Sequence, residues 1–253
     1  MPPPAAAAAS TALLLDFDGT LVEFAPTPDA VRADASLRSL LERLQARFGG
    51  AVAILSGRPI DALDALLAPL RLPVAGLHGL ERRSADGQRH AAPACGPWLA
   101  AAQRMLQECA QACPGLLLET KTHGLALHWR RAPQHATAAR AAVAAVHARL
   151  QPRPLLIEGH AVLELREAGP DKGAALDAFM AEPPFAGRRP LYVGDDVNDF
   201  PAQRRALAQG GVAVHVGEPL EGAHAPLQRS LHRLPDPRGV RAWLDSLVGA
   251  DTT

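Results

Sequence analysis

The chain has 253 residues, 48% of them hydrophobic and 4% aromatic, and its 26 basic residues balance its 26 acidic ones. This length can form one large domain or two modest ones, each with its own core. A neutral chain with few aromatic residues lacks the basic, ring-rich face that nucleic acids require, which argues against a nucleic-acid partner.

The cysteines and the first residues indicate a cytoplasmic protein. Cys95, Cys109 and Cys113 form no CxxC pair and have no His partners at ligand spacing, which favours reduced thiols over a disulfide or a zinc site. The N-terminal MPPPAAAAAS has no basic segment typical of a signal peptide, and the leucine run after it is too short to span a bilayer. We therefore expect residues 1–10 to be a disordered tail, and we expect no membrane partner.

From residue 12 onward, short apolar runs alternate with helical patterns. Three runs are predicted to be buried strands: ALLLDF, AVAILSG and PVAGLHG. Helices are predicted between them, over 31–48, where leucines recur at helical spacing, and over 60–70. Continuous apolar strands separated by amphipathic helices predict a parallel sheet covered on both faces.

The middle of the chain has a different pattern. A helix is predicted over 97–113, two strands within 115–130 with a turn near Gly124, and an Ala-rich helix over 133–150. PLLIEG and AVLELRE follow as a hairpin that turns at Gly159 and His160. This order predicts an inserted α+β cap domain with a mainly antiparallel sheet, over residues 93–167.

After Gly169 and Pro170 the first pattern returns. RPLYVGDD and GVAVHVG are the predicted strands, and the predicted helices cover 172–181, 199–209 and 238–248. The predicted fold class is therefore α/β: a Rossmann-like, doubly wound parallel-sheet core over 11–92 and 168–253, interrupted by the cap.

Four polar clusters stand at the ends of predicted strands or at a helix start. They are Asp16-Asp18-Gly19-Thr20, Ser56-Gly57-Arg58, Lys172 and Asp195-Asp196-Asp199. Ligands bind beyond the carboxyl ends of the strands in such a sheet, so these clusters are candidates for a single site. Asp16 and Asp18 lie on one side of an extended chain and can face the same group. Buried carboxylates need a compensating cation, and oxygen ligands suit Mg²⁺.

Each of these residues also has a simpler interpretation. Asp16 and Asp18 could cap a loop, Ser56 and Asp199 could cap helices, and Lys172 could be a solvated residue at a helix start. Arg58 is interpreted as a structural ion-pair partner and not as a catalytic residue. Only two of the 26 basic residues are lysines, at 121 and 172, which favours a specific use of the ammonium group at Lys172.

The motifs resemble those of a known enzyme superfamily along the whole chain. DFDGT, SGR, the later lysine and GDDxxD resemble the four signatures of the haloacid dehalogenase-like (HAD) phosphohydrolases. More narrowly, GLHGLE, ETKTHGLALHWR, VLELRE, YVGDD and GVAVHVG are similar to trehalose-6-phosphate phosphatases.

The resemblance implies a role for each residue of the core site. Asp16 would attack phosphorus and form an aspartyl-phosphate, and Asp18 would protonate the leaving oxygen and then assist water. The phosphoryl group would be held by Lys172, Ser56, Gly19, Thr20 and Gly57. Mg²⁺ would be bound by Asp16, Asp195 and the backbone carbonyl of Asp18, with Asp196 and Asp199 orienting its ligands or bound water.

The cap would recognise the sugar. Glu119 and Lys121 share one face of an extended segment, as do Glu164 and Arg166 on the last cap strand. In trehalose-6-phosphate phosphatases the matching Glu-x-Lys and Glu residues bind the sugar, and the resemblance extends this role to Glu119, Lys121, Glu164 and Arg166. A solvated face with cross-strand ion pairs is the alternative.

One departure leaves the substrate open. The family stretch GDDxTDE is GDDVNDF here, with Asn198 and Phe200 in place of Thr and Glu. We expect a monomeric, Mg²⁺-dependent phosphatase that acts on trehalose 6-phosphate. The alternatives are a phosphatase of mannosyl-3-phosphoglycerate or sucrose phosphate, a phosphomutase, or a catalytically idle sugar-phosphate-binding module.

Overall fold

The computed structural model describes residues 3–249, except for 5, 26, 28, 29, 93–95, 122, 152, 160, 220–226, 228 and 229. Within this part of the chain, no helix is long and apolar enough to cross a membrane. Cys95 and the predicted hairpin residue His160 fall outside the described residues.

The chain forms two compact units. One contains the residues up to Ala91 together with those from Pro170 onward, and the other contains Ala92–Gly169. The sequence-based prediction divides the core and the cap at 92/93 and 167/168.

The first unit contains an eight-stranded sheet in the order β12-β11-β10-β1-β2-β3-β4-β5. Its strands are β1 (Thr11–Leu15), β2 (Val52–Leu55), β3 (Val74–Gly76), β4 (Glu81–Arg83), β5 (Arg89–Ala91), β10 (Arg189–Gly194), β11 (Val212–Val216) and β12 (His232–Leu234). The first six strands in this order are parallel, and β4 and β5 are antiparallel additions beyond β3. The doubly wound parallel fold class is therefore confirmed.

Helices cover both faces of this sheet. They are α1 (Ala35–Arg47), α2 (Ile60–Leu67), α5 (Lys172–Met180), α6 (Phe200–Ala208) and α7 (Pro237–Gly249). Alternate side chains of β1 enter opposite cores, since Leu13 and Leu15 pack with α1, α2 and α7, whereas Ala12 and Leu14 pack with α5 and α6. Burial on both faces explains why the strands are continuous apolar runs.

Two helix starts have clear local causes. Asp34 accepts a hydrogen bond from the Leu37 backbone N–H at 2.7 Å, so α1 begins after this cap and not at Val31 as predicted. Asp171 accepts one from Ala174 N at 2.8 Å, which makes Lys172 the first residue of α5.

The structure corrects the sequence-based prediction at three places. The hairpin of β4 and β5 was missed, although its Asp86-Gly87 turn is a hairpin signal, because its strands are short and charged. Strand β12 was also missed. The predicted disordered tail over 1–10 is too long: Ala8 is buried, and its carbonyl accepts a hydrogen bond from Arg188 at 2.7 Å.

The second unit is an α+β domain. Its four-stranded antiparallel sheet has the order β6-β7-β9-β8, and helices α3 and α4 pack on one face through a core that contains Leu125, Leu127, Leu163 and Leu165. The bounds are α3 (Trp98–Ala112), β6 (Leu117–Lys121), β7 (Gly124–His128), α4 (Ala136–Arg149), β8 (Leu155–Gly159) and β9 (Val162–Arg166).

Candidate active site

Three adjacent parallel strands bring the core site together. Strand β1 lies between β10 and β2. The sheet extends from β1 through β2 and β3 in one direction and through β10, β11 and β12 in the other, so the strand order reverses at β1. Asp16, Ser56 and Asp195 each directly follow one of these strands, so all three stand at the carboxyl edge of the sheet. Such a topological switch point is where open α/β sheets bind ligands.

A buried ion-pair cluster occupies this edge. Lys172 Nζ donates to Asp16 Oδ1 at 2.6 Å and to Asp199 Oδ1 at 2.5 Å. The side chains of Lys172, Asp16 and Asp199 are at most 6% exposed. Three charged groups withdrawn from water in this way are costly unless each is compensated, so the ammonium group holds the two carboxylates in place.

Asp199 is an organising residue. Its Oδ1 also accepts from Tyr192 OH at 2.6 Å, and its Oδ2 accepts from the backbone N–H groups of Asp195 and Asp196, both at 2.9 Å. Together with the bond from Lys172 these contacts fill the four acceptor positions of a carboxylate. Asp199 therefore orients the loop after β10 and the lysine, which suits an indirect role at a metal better than direct ligation.

The pKa values reflect the crowding of carboxylates. Burial raises the pKa of Asp16 to about 7, against the attraction of Lys172 and with added repulsion from Asp199. Burial, followed by the charges of Asp16 and Asp199, raises the pKa of Asp195 to about 10. Burial alone would lower the pKa of Lys172, but the two carboxylates outweigh it and raise that pKa.

These residues fit a divalent cation. Carboxylate oxygens of Asp16, Asp195 and Asp199 lie within 4.8 Å of one another. The raised pKa values show that burial disfavours the charged forms of Asp16 and Asp195, and a bound cation would favour those charged forms. An oxygen-only set of this kind is typical of Mg²⁺.

Two predicted metal residues direct their carboxylates elsewhere. Asp196 accepts from Val197 N at 2.6 Å and from Asn198 Nδ2 at 3.3 Å, within a capping box that it forms with Asp199. Asp18 accepts two hydrogen bonds from Arg58, at 2.7 Å from Nε and 2.8 Å from a terminal nitrogen. Neither belongs to the group whose oxygens lie within 4.8 Å of one another.

Of the residues predicted to hold a phosphoryl group, Lys172, Thr20 and Gly19 contact the acidic cluster, whereas Ser56 and Gly57 follow β2 at the same edge of the sheet. Ser56 is buried, and its Oγ accepts from Arg58 N at 3.1 Å within the turn after β2. It does not cap α2, whose N-cap residue is Pro59 and which has no side-chain cap hydrogen bond. Thr20 is buried, and its hydroxyl donates to Asp195 at 3.4 Å. A β-carbon at Gly57 would lie 2.7 Å from the ring of His78, so the turn is closely packed.

Gly19 packs directly against Asp195. Its φ is +80°, and a β-carbon at this position would lie 2.1 Å from Asp195 Oδ2. A side chain here would therefore displace the carboxylate.

We expect Gly19→Ala to lower kcat/KM for phosphate release at least tenfold and to weaken Mg²⁺ binding, measured by the Mg²⁺-dependent rise in Tm. Gly87→Ala is the matched control, because Gly87 has φ +89° but nothing lies within 4 Å of its added β-carbon. Both variants carry about 1–2 kcal/mol of backbone strain. Equal losses of activity in the two would contradict the role given to the contact with Asp195.

The cap sheet has one polar face. Its register places Glu119, Ala126 and Glu164 in one row across β6, β7 and β9, on the side opposite the apolar core. Lys121 Nζ donates to Glu164 Oε2 at 2.9 Å, and His128 lies 2.8 Å from Glu119. The hydrogen bond with His128 lowers the pKa of Glu119. This face therefore carries charges of both signs within hydrogen-bonding distance of one another.

The interpretation of Arg58 as an ion-pair partner is confirmed, and its partner is Asp18. Tyr192 is a residue of the core site that the sequence pattern did not single out. The sequence offered a signal for Tyr192, because it is the chain's only tyrosine and lies two residues before the GDD segment. His78, with φ +59°, packs on Gly57 next to the end of β3.

Comparisons with known proteins point to one family. The trehalose-phosphatase family model matches residues 14–222. The chain is 36% identical over 240 residues to a probable trehalose-phosphate phosphatase of Sinorhizobium fredii, and 36% identical over 239 residues to the trehalose-6-phosphate phosphatase of Escherichia coli. Each alignment covers 94% of this chain and 87% of the relative.

Solved structures agree at the level of the fold. The C-terminal domain of C. albicans trehalose-6-phosphate phosphatase has a TM-score of 0.81 at 19% identity and covers 95% of this chain and 92% of that chain. A haloacid dehalogenase-like hydrolase of Bacteroides thetaiotaomicron has a TM-score of 0.67 at 16% identity. The match covers 94% of this chain and 99% of that chain. With the family model matching most of its length, the chain belongs to the trehalose-phosphatase family.

Proposed function

We propose that this protein is a phosphoric monoester hydrolase that converts trehalose 6-phosphate to trehalose and phosphate. The observation that carries the proposal is the cluster formed by the buried residues Asp16, Lys172 and Asp199 with the partly buried Asp195 at the carboxyl edge of the sheet, in a chain of the trehalose-phosphatase family. An idle binding module would not need this cluster, since keeping two carboxylates and an ammonium group buried beside a third carboxylate is costly.

Asp16 acts as the nucleophile in this proposal. Lys172 holds its Oδ1 at 2.6 Å, which fixes the carboxylate's orientation at the end of β1. The carboxylate attacks phosphorus, the bond to the sugar oxygen breaks, and an aspartyl-phosphate forms on Asp16. Lys172 also offsets the negative charge that accumulates when a phosphate dianion meets a carboxylate.

Asp18 handles the proton. In the first step it gives a proton to the departing sugar oxygen, and in the second it takes one from the water that attacks the aspartyl-phosphate. The two steps return Asp18 to its starting state. Ser56 and the backbone N–H groups around Gly19 and Gly57 are assigned to the phosphoryl oxygens, because these groups stand at the same sheet edge.

Mg²⁺ is the proposed cofactor. Asp16 and Asp195 would bind it with their carboxylates and Asp18 with its backbone carbonyl, whereas Asp196 and Asp199 would orient the binding loop. When bound, the ion neutralises charge between the nucleophile and the phosphate.

The polar face of the cap sheet is assigned to sugar recognition. Glu119, Lys121, Glu164 and Arg166 offer acceptors and donors, which suit the hydroxyl groups of a disaccharide. The ion pair between Lys121 and Glu164 favours this arrangement, since it holds both groups in fixed positions.

We expect Glu119→Ala to raise KM for trehalose 6-phosphate about tenfold or more, while KM for p-nitrophenyl phosphate changes less than twofold. Glu158→Ala is the matched control, because Glu158 is an exposed residue of the same sheet on the side that faces the helices, where it pairs with Arg140. An equal rise in KM for both substrates would remove Glu119 from the sugar site.

A phosphate-release panel tests the proposed function. Purified protein with Mg²⁺ is expected to hydrolyse trehalose 6-phosphate with a kcat/KM at least a hundredfold above that for glucose 6-phosphate, and EDTA is expected to abolish the reaction. Sucrose 6-phosphate and mannosyl-3-phosphoglycerate complete the panel. A higher kcat/KM for either of these compounds would make that compound the substrate in place of trehalose 6-phosphate. Binding of a sugar phosphate without release of phosphate would favour the idle binding module.

We place the reaction in the cytoplasm and assign it to a monomer. The described cysteines, Cys109 and Cys113, are free thiols, which supports a reducing setting. Gel filtration across a tenfold range of protein concentration tests the monomer.

A further inference from the structure

The pair of Arg58 and Asp18 has the geometry of a positioning contact. The guanidinium group donates two parallel hydrogen bonds, one to each oxygen of the Asp18 carboxylate, at 2.7 and 2.8 Å. Such bidentate contacts fix the carboxylate's rotation as well as its position. The two side chains are only 15% and 25% exposed, so water competes little for the contact.

Arg58 reaches Asp18 from a well-anchored backbone. Its N–H donates to Ser56 Oγ at 3.1 Å, and its carbonyl accepts from Leu77 N at 3.1 Å. A β-carbon at Gly76 would lie 2.9 Å from that same carbonyl oxygen, so the ends of β2 and β3 pack closely around it. The backbone of Arg58 is therefore anchored between the ends of two strands.

The reason for such a contact lies in the neighbouring acidic cluster. Asp18 is two residues from Asp16, and residues at this spacing lie on one side of an extended segment. A divalent cation bound between Asp16 and Asp195 would attract a further nearby carboxylate. The Asp18 carboxylate nevertheless lies outside the cluster, bound to Arg58.

We propose that Arg58 is a positioning residue that holds the Asp18 carboxylate out of the metal ligand set, so that Asp18 stays available for proton transfer to the leaving group and from the attacking water. The proposal rests on the proposed function, because it concerns the acid–base step of that reaction. Arg58 acts through Asp18 and is not itself assigned a contact with the substrate.

The leaving group distinguishes positioning from a merely structural ion pair. A sugar alkoxide needs a proton as it departs, whereas p-nitrophenolate departs with little help. The value of kcat/KM reports the steps up to transfer onto Asp16, so the later hydrolysis does not obscure the comparison. We expect Arg58→Gln to lower kcat/KM for trehalose 6-phosphate about a hundredfold and for p-nitrophenyl phosphate less than fivefold.

Arg58→Lys is expected to fall between the wild type and Arg58→Gln, since a lysine keeps the charge but not the two-pronged geometry. The matched control is Arg82→Gln, because Arg82 pairs with Glu182 at similar exposures of 14% and 27%. This control is expected to leave the ratio of the two kcat/KM values unchanged.

Magnesium affinity gives a readout apart from turnover. In Arg58→Gln the released carboxylate can join the cation, so we expect the Mg²⁺ concentration at half-maximal rise in Tm to stay equal or fall. Equal losses on both substrates, or a Mg²⁺ midpoint raised more than threefold, would overturn the proposal. Failure of the proposed function is a separate result, in which the wild type itself releases no phosphate from trehalose 6-phosphate.

Discussion

Asp16→Asn is expected to lower kcat for trehalose 6-phosphate at least about 10³-fold while the protein stays folded. The amide is not a nucleophile toward phosphorus, and it cannot carry the aspartyl-phosphate. Stability is expected to change little, because burial already raises the pKa of Asp16 to about 7 and makes its charged form costly in the absence of metal. Lys172 keeps Asp199 as its partner in the variant.

A phosphate-release assay measures the expected loss of kcat, and thermal melting measures whether the variant stays folded. Asp61→Asn serves as the control, since Asp61 is an exposed residue at the start of α2 and pairs with Arg89 at the surface. Residual turnover above 1% of the wild type, after exclusion of deamidation by mass spectrometry, would contradict the role of Asp16 as nucleophile.

The second large effect is expected from Lys172→Met. The substitution leaves Asp16 and Asp199 in the core without the ammonium group that binds both. Removing one partner of a buried ion pair costs about 3–5 kcal/mol in the free energy of unfolding. We therefore expect this loss in urea titrations at pH 7.5 with EDTA, together with loss of turnover.

The same variant should depend on pH in a defined direction. Without Lys172 the pKa of Asp16 in the folded protein rises further above its unfolded value, so folding favours the protonated carboxyl group. The loss in the free energy of unfolding that comes from Asp16 is absent below the pKa of Asp16 in the unfolded chain, near 4. It grows as the pH rises toward the pKa of Asp16 in the folded protein. The difference between variant and wild type is therefore expected to shrink from pH 7.5 to pH 5, and Mg²⁺ at pH 7.5 should also reduce it.

Lys121→Met is the matched control, because Lys121 is the chain's only other lysine. Its ion pair with Glu164 is partly exposed, at 23% and 13%, so the expected cost is about 1 kcal/mol or less. Equal destabilisation by the two substitutions would mean that the core lysine does not compensate the acidic cluster.

The parts of the fold that follow from apolar periodicity were predictable from the sequence. Strands β1, β2, β10 and β11 are buried on both faces, so their apolar runs are unmistakable. Strands β4 and β12 contain Glu81–Arg83 and His232–Leu234, which carry charged residues and depend on neighbouring strands for their pairing. Such short, charged strands are set by tertiary context, which a local pattern does not contain.

The site was predictable where a residue's position along a strand decides its role. Asp16, Ser56 and Asp195 follow strands that proved adjacent, so their meeting follows from topology. The partners of Asp18 and Asp199 did not follow, because Arg58 and Tyr192 act through side-chain contacts with residues 40 and 7 positions away. The capping role of Asp196 likewise depends on contacts with Val197 and Asp199 that the sequence pattern does not contain.

A crystal structure of the wild type grown with Mg²⁺, or with Mn²⁺ for its anomalous signal, tests the central claim most directly. We expect one ion bound by the carboxylates of Asp16 and Asp195, with Lys172 still bound to Asp16 and Asp18 still bound to Arg58. Absence of the ion at saturating concentration, or an ion bound elsewhere with Asp16 and Asp195 apart, would contradict a metal-dependent phosphoryl-transfer site.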